Sequence, residues 1–360
     1  MAGFKQCAWL LWAFSLVLSP VAAQAPQESD FTADDIEQGD ALTLLNELAS
    51  NNTEVPTLAR RDGSGCTPSK LRIRREWSQR LSYIAAVKCL QTKPSLMDPA
   101  VAPGAKSLYD DFVAIHLMQT MNIHLSATFL TWHRYFTWTF EEKLRTECGY
   151  TGTVPYWEWG FDVRNPAASP VFDGSDTSLG GNGEFIPHSG MILTEAMNPA
   201  ALIPLPPGSG GGCVRTGPFA NMTVHIGPVA LAHLILQNHD IEHFQAIMQA
   251  DPRYVHGELG VHGGGHFTIG GDPGADPFIS PGDPAFYLHH SQVDRLYWIW
   301  QMLDFPNRQN VWGTATFLDF IPTPNVTLDD VIDITPLAPV VKIRDMMNTV
   351  GGSPFCYIYI

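Results

Sequence analysis

Positive charge is scarce in this chain: 21 Lys and Arg stand against 36 Asp and Glu among 360 residues, a formal charge of −15 at pH 7. No Lys/Arg-rich block is present, which argues against a nucleic-acid binder, because phosphate contacts need clustered cations. Charged residues of either sign make up only 16% of the chain and hydrophobic ones 45%, so a wholly disordered polymer is also excluded. Past the N-terminus no apolar run is long enough to span a bilayer. Six cysteines are too few for a disulfide scaffold of this length. What is plentiful is glycine (31), proline (28) and histidine (13). The first two predict long, stiff connections; the histidines point to chemistry.

Residues 1–23 have the anatomy of a secretory signal. Lys5 supplies the positive start, Cys7 to Leu18 is apolar but too short to cross a membrane, and Val21-Ala22-Ala23 offers a cleavage site. Removal takes Cys7 and leaves Cys66, Cys89, Cys148, Cys213 and Cys356. That odd set predicts two disulfides and one leftover thiol, with the pairing open. Sequons at Asn51, Asn221 and Asn325 suit a secreted, extracellular protein. Arg60-Arg61 followed by Asp62-Gly63-Ser64-Gly65 resembles a processing site. Residues 24–61 are therefore either an N-terminal arm or a removed pro-segment, and 62–360 form the functional domain.

Hydrophobic periodicity predicts helices over Phe31 to Leu48, Ser69 to Leu90, Tyr109 to His116, Trp132 to Cys148, Pro228 to Gln249 and Pro284 to Leu303. Residues 160–220, rich in Gly, Pro, Ser and Asn, read as long loops. With no internal repeat and no linker after residue 62, the expectation is one mainly α domain with long loops.

The histidines fall into two constellations. The first is His116, His124 and His133, with Glu141 two turns beyond His133. A nine-residue step lies half a turn out of phase on one helix. These rings converge only if His116 is on one helix, His124 on a loop and His133 on the next. The second is His262-Gly-Gly-Gly-His266 followed by Asp283-Pro284-Ala285-Phe286-Tyr287-Leu288-His289-His290 and Asp294-Arg295. His262 and His266, four apart, share a helix face. The three intervening glycines are poor helix formers and imply close approach of the backbone to something, such as a ligand. Of His289 and His290, adjacent on a helix, only one should point at a metal. Grouped imidazoles without cysteine or carboxylate suit copper, zinc, iron or nickel. His239 and His243 form another i, i+4 pair, read as a solvated helix face; His188, His225, His233 and His256 have no partner spacing and read as structural or exposed.

Two longer patterns carry a resemblance. His124-x4-Phe129-Leu130-x-Trp132-His133-Arg134 through Glu141, and Asp283-Pro284-x-Phe286-Tyr287-x-x-His290-x-x-x-Asp294, are similar to the copper A and copper B signatures of short secreted tyrosinases and catechol oxidases, the polyphenol oxidases of the type-3 copper family. The likeness runs from about Cys66 to the end and includes Val154-Pro155-Tyr156-Trp157-Glu158-Trp159 and Tyr357-Ile358-Tyr359. It implies a four-helix bundle holding a dinuclear copper centre. His116, His124 and His133 would ligate one copper ion, and His262, His266 and His290 the other, His290 being chosen over His289 by the family pattern. Glu258 would hold a water that serves as base. Phe267 would form a pocket wall, with Pro277 and Phe278 in the stretch that gates copper A. Two departures stand out. Many relatives have a cysteine, cross-linked to the second copper A histidine, where this chain has Asn122, and an asparagine where it has Gly263. The implied activity is oxidation of o-diphenols, and more slowly monophenols, to o-quinones with reduction of O2 to water. The partners are then phenolic small molecules and O2, with no nucleic acid and no membrane. The rival classes are a hemocyanin-like O2 carrier and a two-zinc hydrolase, the latter disfavoured because such centres usually include a carboxylate.

Overall fold

The computed structural model describes residues 25–53, 65–78, 80–181, 223–271, 273–351 and 353–360. The signal-like segment, the dibasic pair, His188, Cys213 and Asn221 lie outside these. Among the described residues ten α-helices dominate, with two small two-stranded sheets. In chain order they are α1 (Ala33–Gln38), α2 (Asp40–Asn52), β1 (Arg72–Arg74), α3 (Arg80–Leu90), α4 (Leu108–Ile123), α5 (Phe129–Cys148), α6 (Trp159–Asp162), α7 (Pro228–Gln237), α8 (Ile241–Met248), α9 (Gly260–Ile269), α10 (Ala285–Leu303), β2 (Val331–Ile332), β3 (Val341–Lys342) and β4 (Tyr357–Tyr359). No helix among the described residues is long and apolar enough to cross a membrane.

The bundle that matters is α4, α5, α9 and α10. Ser107 caps α4 by accepting from Asp110 N, while the Asp110 carboxylate accepts from Ser107 N in return, a capping box that sets where the helix starts. Gly149, in the left-handed region at φ 66°, ends α5. Every residue of α10 is buried, as expected of a helix at the centre of a domain. Aromatic rings fill the space between helices: Phe112 sits edge-on to Phe136 and Phe140 at 5.2 Å, and Phe140 stacks on Tyr287.

Charges buried in this core are paired. Arg134 donates to Asp294 at 2.5 Å, and Tyr357 and Tyr359 each donate their hydroxyl to the same carboxylate at 2.6 Å. Burial would raise Asp294, but Arg134, Arg74 and these hydroxyls outweigh it and hold its pKa below the ordinary value. Arg134 follows His133 and Asp294 is one helical turn after His290, so this ion pair fixes α5 against α10 where both carry histidines.

Three expected helices are corrected, the Phe31 to Leu48 stretch being two, α1 and α2, parted at Gly39 (φ 88°). The first half of the Ser69 to Leu90 stretch is not helical: β1 pairs in parallel with β4, Arg72 opposite Tyr357 and Arg74 opposite Tyr359. A long-range pairing, reinforced by the Cys66–Cys356 disulfide, overrides the local period. The Pro228 to Gln249 stretch is two helices, broken where Asn238 is extended and bonds back to Leu234 O, and Asp240 then caps α8. The second disulfide, Cys89–Cys148, joins α3 to the end of α5.

Candidate metal centre

His116 lies in the third turn of α4, His124 is the residue that ends it, and His133 is in the second turn of α5, the helix, loop, helix arrangement that the spacing demanded. Their ring centroids are 5.1–5.7 Å apart. Each ring is oriented through Nδ1 by a backbone carbonyl: Phe278 O for His116 at 2.9 Å, Thr120 O for His124 at 3.1 Å and Phe129 O for His133 at 2.8 Å. A carbonyl oxygen only accepts, so Nδ1 carries the proton and Nε2 presents a lone pair. Nε2 of His116 and of His133 is buried with no hydrogen-bond partner.

His262 and His266 lie on α9, and His289 and His290 on α10. His266 Nδ1 donates to Gly274 O at 3.2 Å, and its Nε2 lies 3.2 Å from His262 Nε2 and 3.1 Å from His290 Nε2. The two groups face each other: His133 stacks on His290 at 4.4 Å and Phe129 packs edge-on to His262 at 4.7 Å. Burial pushes all of these imidazoles below the ordinary histidine pKa, His124 to about 4 and His266 to about 3. Neutral rings, with backbone carbonyls fixing the tautomers of His116, His124, His133 and His266, and ring nitrogens that converge within each group form a donor set that fits metal ions, one per group.

His289 also belongs to the second group by distance. It neighbours His290 at 4.9 Å, and its ring packs 4.3 Å from His266 and 5.1 Å from Trp159. The angular argument from adjacent positions fails to exclude it because α10 is enclosed on every side. The glycines of α9 follow from this crowding. A Cβ on Gly264 would fall 2.6 Å from His225 Cβ, and one on Gly265 2.3 Å from the His289 ring. Their close approach is thus to histidines and not to a bound ligand. Gly263 alone of the three lines the adjoining cavity.

That cavity, about 140 Å³, opens beside His124, His262 and His266. Phe267 and Pro277 line it as expected, but Phe278 does not; it contributes its carbonyl to His116 instead. Glu258 is exposed, precedes α9, which opens at Gly260, and does not line the cavity; its charge acts on His225. Leu125, Gln249, Ala250, Leu259, Ala275 and Phe317 complete the wall. None was marked by sequence, since they come from four separate segments with no shared motif. His239 and His243 are exposed, and His243 bonds Asp240 at 2.9 Å. His256 is exposed, His233 meets Glu28 at 3.3 Å, and Asn122 is exposed and donates to Ala315 O.

Comparison with known proteins agrees with this geometry. Residues 106–234 and 229–303 match the common central domain of tyrosinase. Tyrosinase P of Aspergillus terreus is 38% identical over 333 residues, covering 80% of this chain and 91% of that protein. The tyrosinase-like protein orsC of Emericella nidulans is 40% identical over 298 residues, 71% of this chain and 80% of its own. A solved glycine-to-asparagine variant of a polyphenol oxidase from Thermothelomyces thermophila is 37% identical, covers 91% of this chain and all of its own, and superposes with a TM-score of 0.79. The histidine groups form a candidate dinuclear copper site in a mainly helical fold, and the chain belongs to the tyrosinase family of type-3 copper proteins.

Proposed function

We propose that this protein is a secreted catechol oxidase that converts o-diphenols to o-quinones, with monophenols reacting slowly. The observation that carries the reading is the cavity for one aromatic ring opening directly onto buried, neutral imidazoles of both groups. His116, His124 and His133 would hold one copper ion, and His262, His266 and His290 the other. Bound there, the metal pair supplies the redox couple by which two diphenols give up four electrons and four protons as O2 becomes two waters. The chain's own part is to keep the imidazoles neutral by burial, orient them through backbone acceptors, exclude water with Phe129 and Phe286, and stack the substrate ring against Phe267.

A phenol proton has a pKa near 10, so hydroxylation of a monophenol benefits from a base close to the metal. Among the described residues no carboxylate lines the cavity, and Glu258 lies outside it, which supports a preference for o-diphenols. Secretion is supported by the signal-like N-terminus and the two disulfides; the exposed sequons at Asn51 and Asn325 are the proposed glycan sites. The test is to load the protein with copper and compare catechol, a monophenol and buffer by oxygen uptake. Rapid uptake with catechol and a lag or low rate with the monophenol is expected; no uptake at full copper content would overturn the reading in favour of a carrier.

A further inference from the structure

The cavity beside the histidines is walled by Leu125, Ala250, Leu259, Phe267, Pro277 and Phe317, and among the described residues no Asp, Glu, Lys or Arg lines it. Beyond the imidazoles, the polar side chain among its described lining residues is Gln249, which is buried. An apolar cavity of about 150 Å³ suffices for a benzene ring, so the 140 Å³ found here takes the phenol ring and little more. A ring substituent that runs along the wall past Gln249 would meet no counter-ion among the described residues, and a charge there would lose part of its hydration.

Gln249 also holds the wall together. Its Oε1 accepts from Leu125 N at 2.7 Å, and Leu125 O accepts from Leu318 N at 3.0 Å. Leu125 (φ 44°), Ala250 (φ 52°), Leu318 (φ 49°) and Asp319 (φ 58°) are the non-glycine residues with positive φ among those described. All four belong to the segments that meet around this opening. Side chains are strained in that region of backbone space, and such strain persists only where surrounding bonds over-determine it. Gln249 supplies one of those bonds, next to His124.

We propose that the cavity selects phenols whose ring substituent is uncharged, with Gln249 as the residue that sets this preference while positioning the His124 loop. The proposal rests on the phenol-oxidase reading above. Its test uses the copper-loaded chain with an isosteric pair, 3,4-dihydroxyphenylacetamide and 3,4-dihydroxyphenylacetate, and with 4-methylcatechol and dopamine. The amide should exceed the carboxylate in kcat/KM by at least about tenfold, and 4-methylcatechol should exceed dopamine. Gln249→Glu keeps the acceptor for Leu125 N but places a negative charge on the wall. It should retain wild-type copper content and raise the dopamine to 4-methylcatechol ratio by about tenfold. Gln249→Ala removes the acceptor and should lower copper content, which a residue serving selectivity alone would not do. Turnover of all four catechols within about twofold, or an unchanged ratio in Gln249→Glu, overturns the proposal while leaving the oxidase reading intact. Failure to turn over any catechol at full copper content overturns both.

Discussion

At the scale of single residues, the site depends on side chains that have no other employment. His133 Nε2 is buried without a partner while Nδ1 is held by Phe129 O, so its removal costs a metal bond and one backbone contact. His133→Ala should abolish catechol oxidation and lose about half the bound copper while retaining helical content by circular dichroism; retained turnover would refute the ligand set. The paired control is His239→Ala with His243→Ala, both exposed, which should keep full copper occupancy. Gly263 tests a different property. A side chain there would have its Cβ 3.3 Å from Leu259 Cβ, a contact that Leu259 can relieve by a small shift. Gly263→Asn therefore places an amide at the cavity edge without the severe clash that blocks any side chain at Gly264 or Gly265. An amide can order a water where no carboxylate stands. The monophenol to diphenol rate ratio, measured per bound copper, should rise; an unchanged or lower ratio shows that Gly263 is only a fitted turn of the helix.

At the scale of elements, what was legible in the sequence is what local spacing encodes. The helices carrying His116, His133 and His290 and the loop position of His124 follow from period and phase, and the two disulfides from an odd cysteine count. What was not legible is set by distant partners: β1 exists because β4 pairs with it, α9 tolerates its glycines because His225 and His289 press on it, and the cavity wall is assembled from remote turns. Glu258 stands outside the cavity because α9 begins only after it. The helix-borne imidazoles also make acid stability predictable. Burial lowers His124 to about 4 and His266 to about 3 in the folded chain, with the other members of both groups also lowered. An unfolded histidine titrates near 6.5. Below that pH the unfolded state binds protons that the folded state refuses, so stability is complete above about 6.5 and falls as pH drops toward the folded values. Each such histidine contributes a loss of up to about 1.4 kcal/mol per pH unit in that window. The Tm of metal-free protein should fall steeply between pH 7 and 5; a flat Tm profile would show that the rings are not buried neutral in solution.

At the scale of the whole molecule, the arm before the dibasic pair is part of the core. Leu42, Leu45 and Ala49 of α2 are buried against α10, Asn46 accepts from Arg295 Nε at 3.0 Å, Asn52 donates to Met302 O at 3.0 Å and Ser50 donates to Tyr359 O at 3.2 Å. Arg295 is itself buried and ion-paired with Glu158, and losing Asn46 would remove the acceptor of its Nε. Burial of two leucines at about 1.5–3 kcal/mol each is comparable with the whole net stability of a domain. If a protease cuts after Arg61, the arm should therefore stay bound. Nicked protein should run as one species in native size-exclusion chromatography, yield two peptides by mass spectrometry under denaturing conditions, and keep its copper. A chain that starts at Asp62 should instead be insoluble or melt at a markedly lower temperature, because it exposes the face of α10 that α2 covers. Should the arm leave under native conditions with no change in Tm, residues 24–61 are a true pro-segment, and the packing of α2 on α10 contributes nothing that the mature protein needs.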